Sequence, residues 1–329
     1  MTGSSGFIGE HLVRLLVREG HTVVGLDFRE PTRREQGVTY FVCDLLDAKR
    51  LEQLVQQAHP DALVHLAART DLKEHGDIRD YSANVEGVEN LVAAIRATPS
   101  VRRAICTSTR LVCRIGYTPK SDDDFQPTTL YGASKVRTEQ IWRANDGGGV
   151  EWCLVRPTTI WGPGMNPHYL TFFQMIRTGR YFHVGARPTR KSYGYVGNTV
   201  HQYLKLVEAV PGRVHRRLFY LADYEAVAIE DWAEAFQQAL GAPPIRTLPV
   251  ALAKAGARIG DLINTLGWTR FPFNSFRLNN VLTPFEFDLS ATEQLCGPLP
   301  FTMSQGVAET ARWLQEESLA ESTPERARS

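Results

Sequence analysis

Tyr131-Gly132-Ala133-Ser134-Lys135 sets a phenol and an ammonium four residues apart, on one face of a helix. Thr109 closes the apolar run that precedes this segment. A hydroxyl, a phenol and an ammonium at strand ends make a proton-transfer site. A free tyrosine has a pKa of about 10. One positive charge at ~4 Å is worth about 4 kcal/mol at an effective dielectric of about 20, enough for a depression on the order of three units. The phenol then titrates near working pH, where a general base is most useful. A surface helix with an ordinary Tyr and Lys has the same spacing, so this pair alone leaves both readings open.

A second chemical signal lies at the start. In Thr2-Gly3-Ser4-Ser5-Gly6-Phe7-Ile8-Gly9 the glycines fall three apart and open an apolar helix. One glycine serves the strand-to-helix turn, one the approach of backbone N–H groups to a pyrophosphate, and one the packing of helix on sheet. The helix N-terminus faces the phosphates with free N–H groups and its positive dipole end. Glycines also mark ordinary turns. Here the next apolar run ends in Asp27, where an acid meets the adenosine ribose of a dinucleotide.

These residues need a scaffold, and the pattern supplies one. Strand-like runs at Thr22–Asp27, Thr39–Cys43, Ala62–Leu66, Arg103–Ser108, Trp152–Arg156 and Leu218–Leu221 alternate with amphipathic stretches at Leu51–Ala58, Tyr81–Ala97 and Tyr131–Ala144. This rhythm predicts a doubly wound parallel sheet of Rossmann type with helices on both faces. Ligands then sit beyond the C-terminal strand ends, and Asp27, Asp44, Ala67-Ala68, Thr109 and Pro157 all follow strands. After Pro157, prolines and glycines cluster and a smaller α/β lobe is expected. The glycine turn calls for a central strand before it, yet only Met1 and Thr2 precede Gly3. A functional form with some seven to ten further apolar residues is expected on that ground, a strand being about five to six residues long.

Composition excludes several classes. With 37 basic and 36 acidic residues among 329, no long basic face is evident and nucleic acid is not an expected partner. Cys43, Cys106, Cys113, Cys153 and Cys296 show no C-x-x-C pairing, so neither a disulfide scaffold nor a metal site is expected and a reduced, cytoplasmic protein fits. The apolar stretch from Val250 to Trp268 carries Lys254, Arg258 and Asp261 and reads as an amphipathic helix, not a membrane span. No membrane partner is expected. The charged tail from Glu316 is expected to fray.

Taken together and in order, the motifs resemble the extended short-chain dehydrogenase/reductase superfamily, within it the NAD-dependent epimerase/dehydratase family. The matching residues are Thr2 to Gly9, Asp27, Asp44-Leu45, His65 to Ala68, Asn84 to Leu91, Thr107 to Thr109, Tyr131 to Lys135 and Arg156-Pro157. The resemblance implies an NAD-binding domain over 1–157, completed by about 195–222. A substrate lobe follows over 158–194 and 223–315, with a tail at 316–329. It implies that Gly3, Gly6, Phe7, Ile8 and Gly9 cradle the pyrophosphate and that Asp27 takes the ribose. Asp44 and Leu45 border the adenine, and Ala67, Ala68 and Pro157 line the cofactor path. Asn84 is cofactor-side or a brace. Tyr131 is the base, Lys135 its activator and ribose ligand, and Thr109 holds the substrate hydroxyl. A homodimer through the helices starting near Tyr81 and Tyr131 is implied by the same analogy. His65 is expected to be structural.

Departures narrow the chemistry. Dehydratases carry an acid after the catalytic Thr, whereas Arg110-Leu111 stand here. Epimerisation or simple oxidation and reduction of a sugar nucleotide is therefore expected. A reductase or dehydrogenase of a sterol-like or other carbonyl substrate is the alternative. A non-catalytic NAD-sensing protein is a reading of another class. Asp27 favours NAD over NADP, although Arg29, Arg33 and Arg34 are close in sequence. Asp122-Asp123-Asp124 reads as a solvated loop. In the lobe, Arg190, Lys191 and Arg277 are candidates to clamp a diphosphate. Trp161 and Tyr169 are candidates to border a sugar, and Phe271 to Phe276 to stack on a base. Gly197-Asn198 replace the family's aspartates and receive no role.

Overall fold

The computed structural model describes residues 1–71, 76–165, 167–185, 187–266 and 273–322. The chain clusters into two units: Met1–Ile160 with Val196–Tyr224 and Phe287–Pro300, and Trp161–Tyr195 with Glu225–Glu286 and Phe301–Ser329.

The first unit is the doubly wound sheet. Its strands β1 (Val24–Asp27), β2 (Thr39–Val42), β3 (Ala62–His65), β4 (Arg103–Thr107) and β5 (Glu151–Pro157), together with Arg217–Leu221, lie within one or two residues of the sequence reading. Every pairing is parallel: β1 with β2, β3 with β4, β4 with β5, and β5 with Arg217–Leu221. The slot between β1 and β3 is bridged by Thr2, which pairs with Leu26 on one side and His65 on the other. Thr2 N–H donates to the Val64 carbonyl at 2.9 Å, and Leu26 N–H to the Met1 carbonyl at 2.8 Å. Met1 and Thr2 thus bridge the central position, where a strand is expected. The order β2-β1-Thr2-β3-β4-β5 is the 3-2-1-4-5-6 order of the dinucleotide-binding fold.

The helices are α1 (Phe7–Arg18), α2 (Ala48–Ala58), α3 (Glu86–Arg96) and α4 (Leu130–Ala144). Helix α2 packs on α3 and α3 on α4, while α1 packs on the Val196–Glu208 helix. Leu51, Leu54, Val88, Leu91, Val92, Ala104, Cys106, Trp142 and Leu154 join one buried cluster between strands and helices. The expected helix Tyr81–Ala97 is two pieces. A 3₁₀ turn covers Ile78–Asn84, and α3 starts afresh at Glu86 because Val85, at φ −116° and ψ −79°, breaks the path.

Residues 287–300, counted with the second lobe in the sequence, cluster with the first unit. The Thr292 hydroxyl donates to the Tyr220 carbonyl at 2.7 Å, and the Tyr224 hydroxyl to the Gly297 carbonyl at 2.7 Å. In the second unit, helices Pro167–Arg177 and Ile229–Ala239 pack together, as do Val250–Thr265 and Ser275–Leu282. The last helix, Met303–Ser322, continues through residues 316–322, where fraying was expected. Glu, Leu and Ala there are good helix formers. The rest of the tail, 323–329, lies outside the described residues.

Candidate active site

The glycine turn is built around contacts that no side chain could share. Gly3 has φ +73°, and a Cβ on it would lie 2.5 Å from the Ala67 nitrogen. A Cβ on Gly9 would lie 2.0 Å from the Gly3 carbonyl oxygen. The first glycine therefore lets the turn pass under the end of β3, and the third lets α1 press on the turn. Gly6 is the N-cap of α1 and offers no side-chain cap to the first-turn N–H groups, which begin at Phe7 and Ile8. Asp27 is buried at the end of β1. Its Oδ2 accepts from Ser5 N–H at 2.9 Å, and its Oδ1 from Arg29 N–H at 3.3 Å. Arg29 in turn donates to the Ser5 carbonyl at 3.1 Å. Asp27 is thus a latch on the glycine turn as well as a ribose candidate, a role the spacing alone did not reveal.

Around this cradle, Asp44 is exposed after β2 and accepts from Leu46 N–H at 3.0 Å. Leu45 is buried against α3, where a Cβ on Gly87 would lie 2.8 Å from its own Cβ. Ala67 and Ala68 are half-buried just beyond β3, and Pro157 is buried at the end of β5.

The residues expected to transfer a proton come from two neighbouring elements. Thr109 is buried, and its Oγ1 accepts from Leu111 N–H at 3.2 Å, capping the 3₁₀ turn Arg110–Val112. Thr129 caps α4 by accepting from Gly132 N–H at 3.0 Å. A Cβ on Gly132 would lie 2.3 Å from the Leu111 carbonyl oxygen. The first turn of α4 therefore rests directly on the turn that Thr109 caps, and Tyr131 is carried there by its neighbour's missing side chain. Tyr131 is half-buried, its ring 6.5 Å from that of buried Tyr81. Lys135, one turn on, is buried, and its Nζ has no hydrogen-bond partner among the described residues. Burial pulls its ammonium below the ordinary lysine range. His65 is buried at the end of β3, its Nδ1 2.7 Å from Thr2 Oγ1 and its ring stacked on Trp142. Burial, and then the Lys135 charge, push it down to about 3, so the imidazole is neutral.

Two contacts support α4. Asn84 is buried: its Oδ1 accepts from Arg69 N–H at 2.8 Å, and its Nδ2 donates to the Arg69 carbonyl at 3.0 Å and to Ser134 Oγ at 2.9 Å. Thr138 Oγ1 donates to the Asn84 carbonyl at 2.6 Å. Asn84 therefore binds both flanks of Lys135 to the loop after β3. On the other side, Arg156 and Glu139 form a bidentate pair, both bonds 2.8 Å and both side chains fully buried. The motif Arg156-Pro157 was the only sequence sign of this pair, and it did not name Glu139.

The lobe candidates are in the second unit. Arg190 lies on a two-residue strand, donates to the Ala226 carbonyl and faces Glu286 at 4.0 Å. Lys191 Nζ donates to the Asn280 carbonyl on the Ser275–Leu282 helix, which also carries Arg277. Trp161 is buried among Tyr195, Trp232 and Phe236, in core. The Tyr169 side chain, Phe271 and Pro272 lie outside the described residues, and Phe273 packs on Phe182. Asp122 and Asp123 are exposed, whereas Asp124 is half-buried and its Oδ2 accepts from the Tyr117 hydroxyl at 2.7 Å and from Lys120 N–H at 2.8 Å.

The sequence model of the NAD dependent epimerase/dehydratase family matches residues 1–220. The chain belongs to that family. The resemblance read from the motifs and the expected fold class are both borne out. The family is one of enzymes, and NAD is its expected cofactor. Two characterised relatives mark its breadth. The chain is 29% identical over 257 residues to the 3-beta-hydroxysteroid dehydrogenase of Mycolicibacterium neoaurum, covering 73% of this chain and 69% of that one. It is 25% identical over 332 residues to the N-acetyl-alpha-D-glucosaminyl-diphospho-ditrans,octacis-undecaprenol 4-epimerase of Escherichia coli O157:H7, covering 95% and 94%. The crystal structure of the Bordetella bronchiseptica enzyme WbmH in complex with NAD+ superposes with a TM-score of 0.72 at 23% identity, covering 96% and 97% of the two chains. At that identity the likeness is one of fold.

Proposed function

We propose that this member of the family oxidises or reduces a secondary-alcohol carbon, with Thr109, Tyr131 and Lys135 as the working residues. The observation that carries this reading is the contact of Gly132 with the Leu111 carbonyl, which sets the α4 turn holding Tyr131 on the turn capped by Thr109. Tyr131 takes the proton of the substrate hydroxyl, and Thr109 holds that oxygen. Lys135 favours the phenolate and reaches toward a ribose. Its buried, unpartnered Nζ fits such a ligand. The cradle of Gly3, Gly6 and Gly9, latched by Asp27, fits a pyrophosphate and an adenosine ribose. NAD, when bound, supplies the hydride acceptor. Asp27 also favours it over a 2′-phosphorylated cofactor. Asn84, with its amide held by Arg69 and Ser134, is assigned as a brace for Lys135.

For the substrate we propose a sugar nucleotide, in line with the 4-epimerase relative that spans nearly the whole chain. A second reading, a lipophilic alcohol or ketone, is favoured by one observation. Arg190 and Lys191, the expected diphosphate clamp, donate to the Ala226 and Asn280 carbonyls. The 3-beta-hydroxysteroid dehydrogenase relative supports it too. Turnover assays with NAD against UDP-, GDP-, CDP- and dTDP-sugars and against 3-beta-hydroxysteroids separate the two. Epimerisation leaves no net reduced cofactor, whereas oxidation accumulates it. Binding of NAD without turnover of any panel member, under conditions that preserve the fold, would move the protein to the sensing class. A homodimer through α3 and α4 belongs to the same proposal, and a monomeric mass by light scattering at micromolar protein would remove it.

A further inference from the structure

From the exposed face of the Val250–Thr265 helix we infer that the protein docks on the surface of an anionic lipid bilayer. The helix is inverted relative to an ordinary surface helix. Its buried positions are Ala253, Ala257 and Gly260, all small. Ala253 and Ala257 pack with Leu278, Val184, Phe182 and Phe273. Most of its large apolar side chains point outward: Leu252 is 62% exposed, Ile259 59% and Leu262 59%, with Leu266 at the C-cap 79% exposed, while Ile263 is half-buried. At about 100° per residue these four exposed side chains, with exposed Ala251 and Ala255, make one continuous stripe about 100° wide. Phe276, 64% exposed, stands beside Ser275, whose N–H donates to Asp261 at 3.1 Å.

Charge selects the occupant. Lys254 and Arg258 are exposed and follow one edge of the stripe. Asp261 is the helix's acid, and it accepts from the Ser275 N–H. An apolar stripe edged by cations suits the boundary between acyl chains and anionic headgroups. In a self-contact the helix offers no second acid to meet those cations. Among the described residues no helix is long and apolar enough to cross a membrane, and a helix lying flat needs no span. The expectation of no membrane partner was drawn from the lack of a spanning segment, and surface docking is compatible with that lack. This inference goes beyond the proposed reaction and does not depend on it.

Flotation of the full chain with vesicles tests it. Wild type is expected to float with phosphatidylglycerol–phosphatidylcholine vesicles and far less with phosphatidylcholine alone, and to lose binding as salt rises. Leu252→Ser, Ile259→Ser and Leu262→Ser combined are expected to lower the partition at least ~10-fold with Tm nearly unchanged, because the sites are exposed. Lys254→Glu with Arg258→Glu is expected to abolish the preference for anionic vesicles. Wild type that floats with neither vesicle, or a serine variant that binds like wild type, overturns the inference. So does a wild-type dimer in light scattering that the serine variant splits while neither floats, since a second copy then covers the face.

Discussion

Gly132 lies so close to Leu111 that a Cβ on it would stand 2.3 Å from the Leu111 carbonyl oxygen. This contact joins the turn capped by Thr109 to the helix carrying Tyr131 and Lys135. Gly132→Ala must push α4 away by a fraction of an ångström or more. A displacement of that order at a reacting centre costs up to about 10²-fold in rate. Turnover is expected to fall by roughly that factor with NAD affinity changed much less. Turnover equal to wild type would show that this contact does not set the site.

The Arg156–Glu139 pair holds α4 from below with two 2.8 Å bonds in full burial. Removing one partner leaves the other charge buried without its counterion. Glu139→Ala is expected to lower unfolding stability by about 3–5 kcal/mol, read by urea titration with the m-value checked. A loss below about 1 kcal/mol would mean that the site relaxes or hydrates.

His65 gives the protein an acid limb. In the unfolded chain it titrates at 6.5, and in the folded chain at about 3. The folded pKa is the depressed one, so the unfolded chain binds protons first as pH falls. The stability linked to His65 is complete above pH 6.5 and is lost toward pH 3, by about 1.4 kcal/mol per unit at most. His65→Asn, which keeps a polar atom toward Thr2, is expected to flatten stability against pH between 6.5 and 4.5. Parallel curves for the two proteins would contradict this.

Asp27 is expected to have two duties: its carboxylate holds Ser5 N–H and Arg29 N–H, and it is the proposed ribose ligand. Asp27→Ala is expected to weaken NADH binding at least about tenfold and to cost about 1–3 kcal/mol of stability through the buried N–H groups it leaves. Fluorescence titration also tests the cofactor choice. Tighter binding of NADPH than of NADH by wild type would overturn it.

The strands and their parallel, doubly wound arrangement were legible because each rests on local pattern: apolar runs, amphipathic stretches between them and glycine spacing. What was not legible depends on contacts between distant residues. Glu139 became meaningful only opposite Arg156, and Asn84 only between Arg69 and Ser134. Thr2 bridges β1 and β3 by bonding neighbours on both sides, which its place in the sequence does not announce. The Val250–Thr265 helix was read as amphipathic, but periodicity does not say which face is buried. Small Ala253, Ala257 and Gly260 took the inside. The Arg190 and Lys191 side chains meet the Ala226 and Asn280 carbonyls, contacts of which a charge in sequence carries no record.

The assignment of Tyr131 as the base is tested most directly by Tyr131→Phe. On a substrate confirmed to turn over with NAD, kcat is expected to fall by about 10²–10⁴-fold, the usual share of general acid–base catalysis. NAD affinity is expected to be largely kept, because the phenol ring stays in place. Turnover near that of wild type would contradict the account, since another group would then be moving the proton.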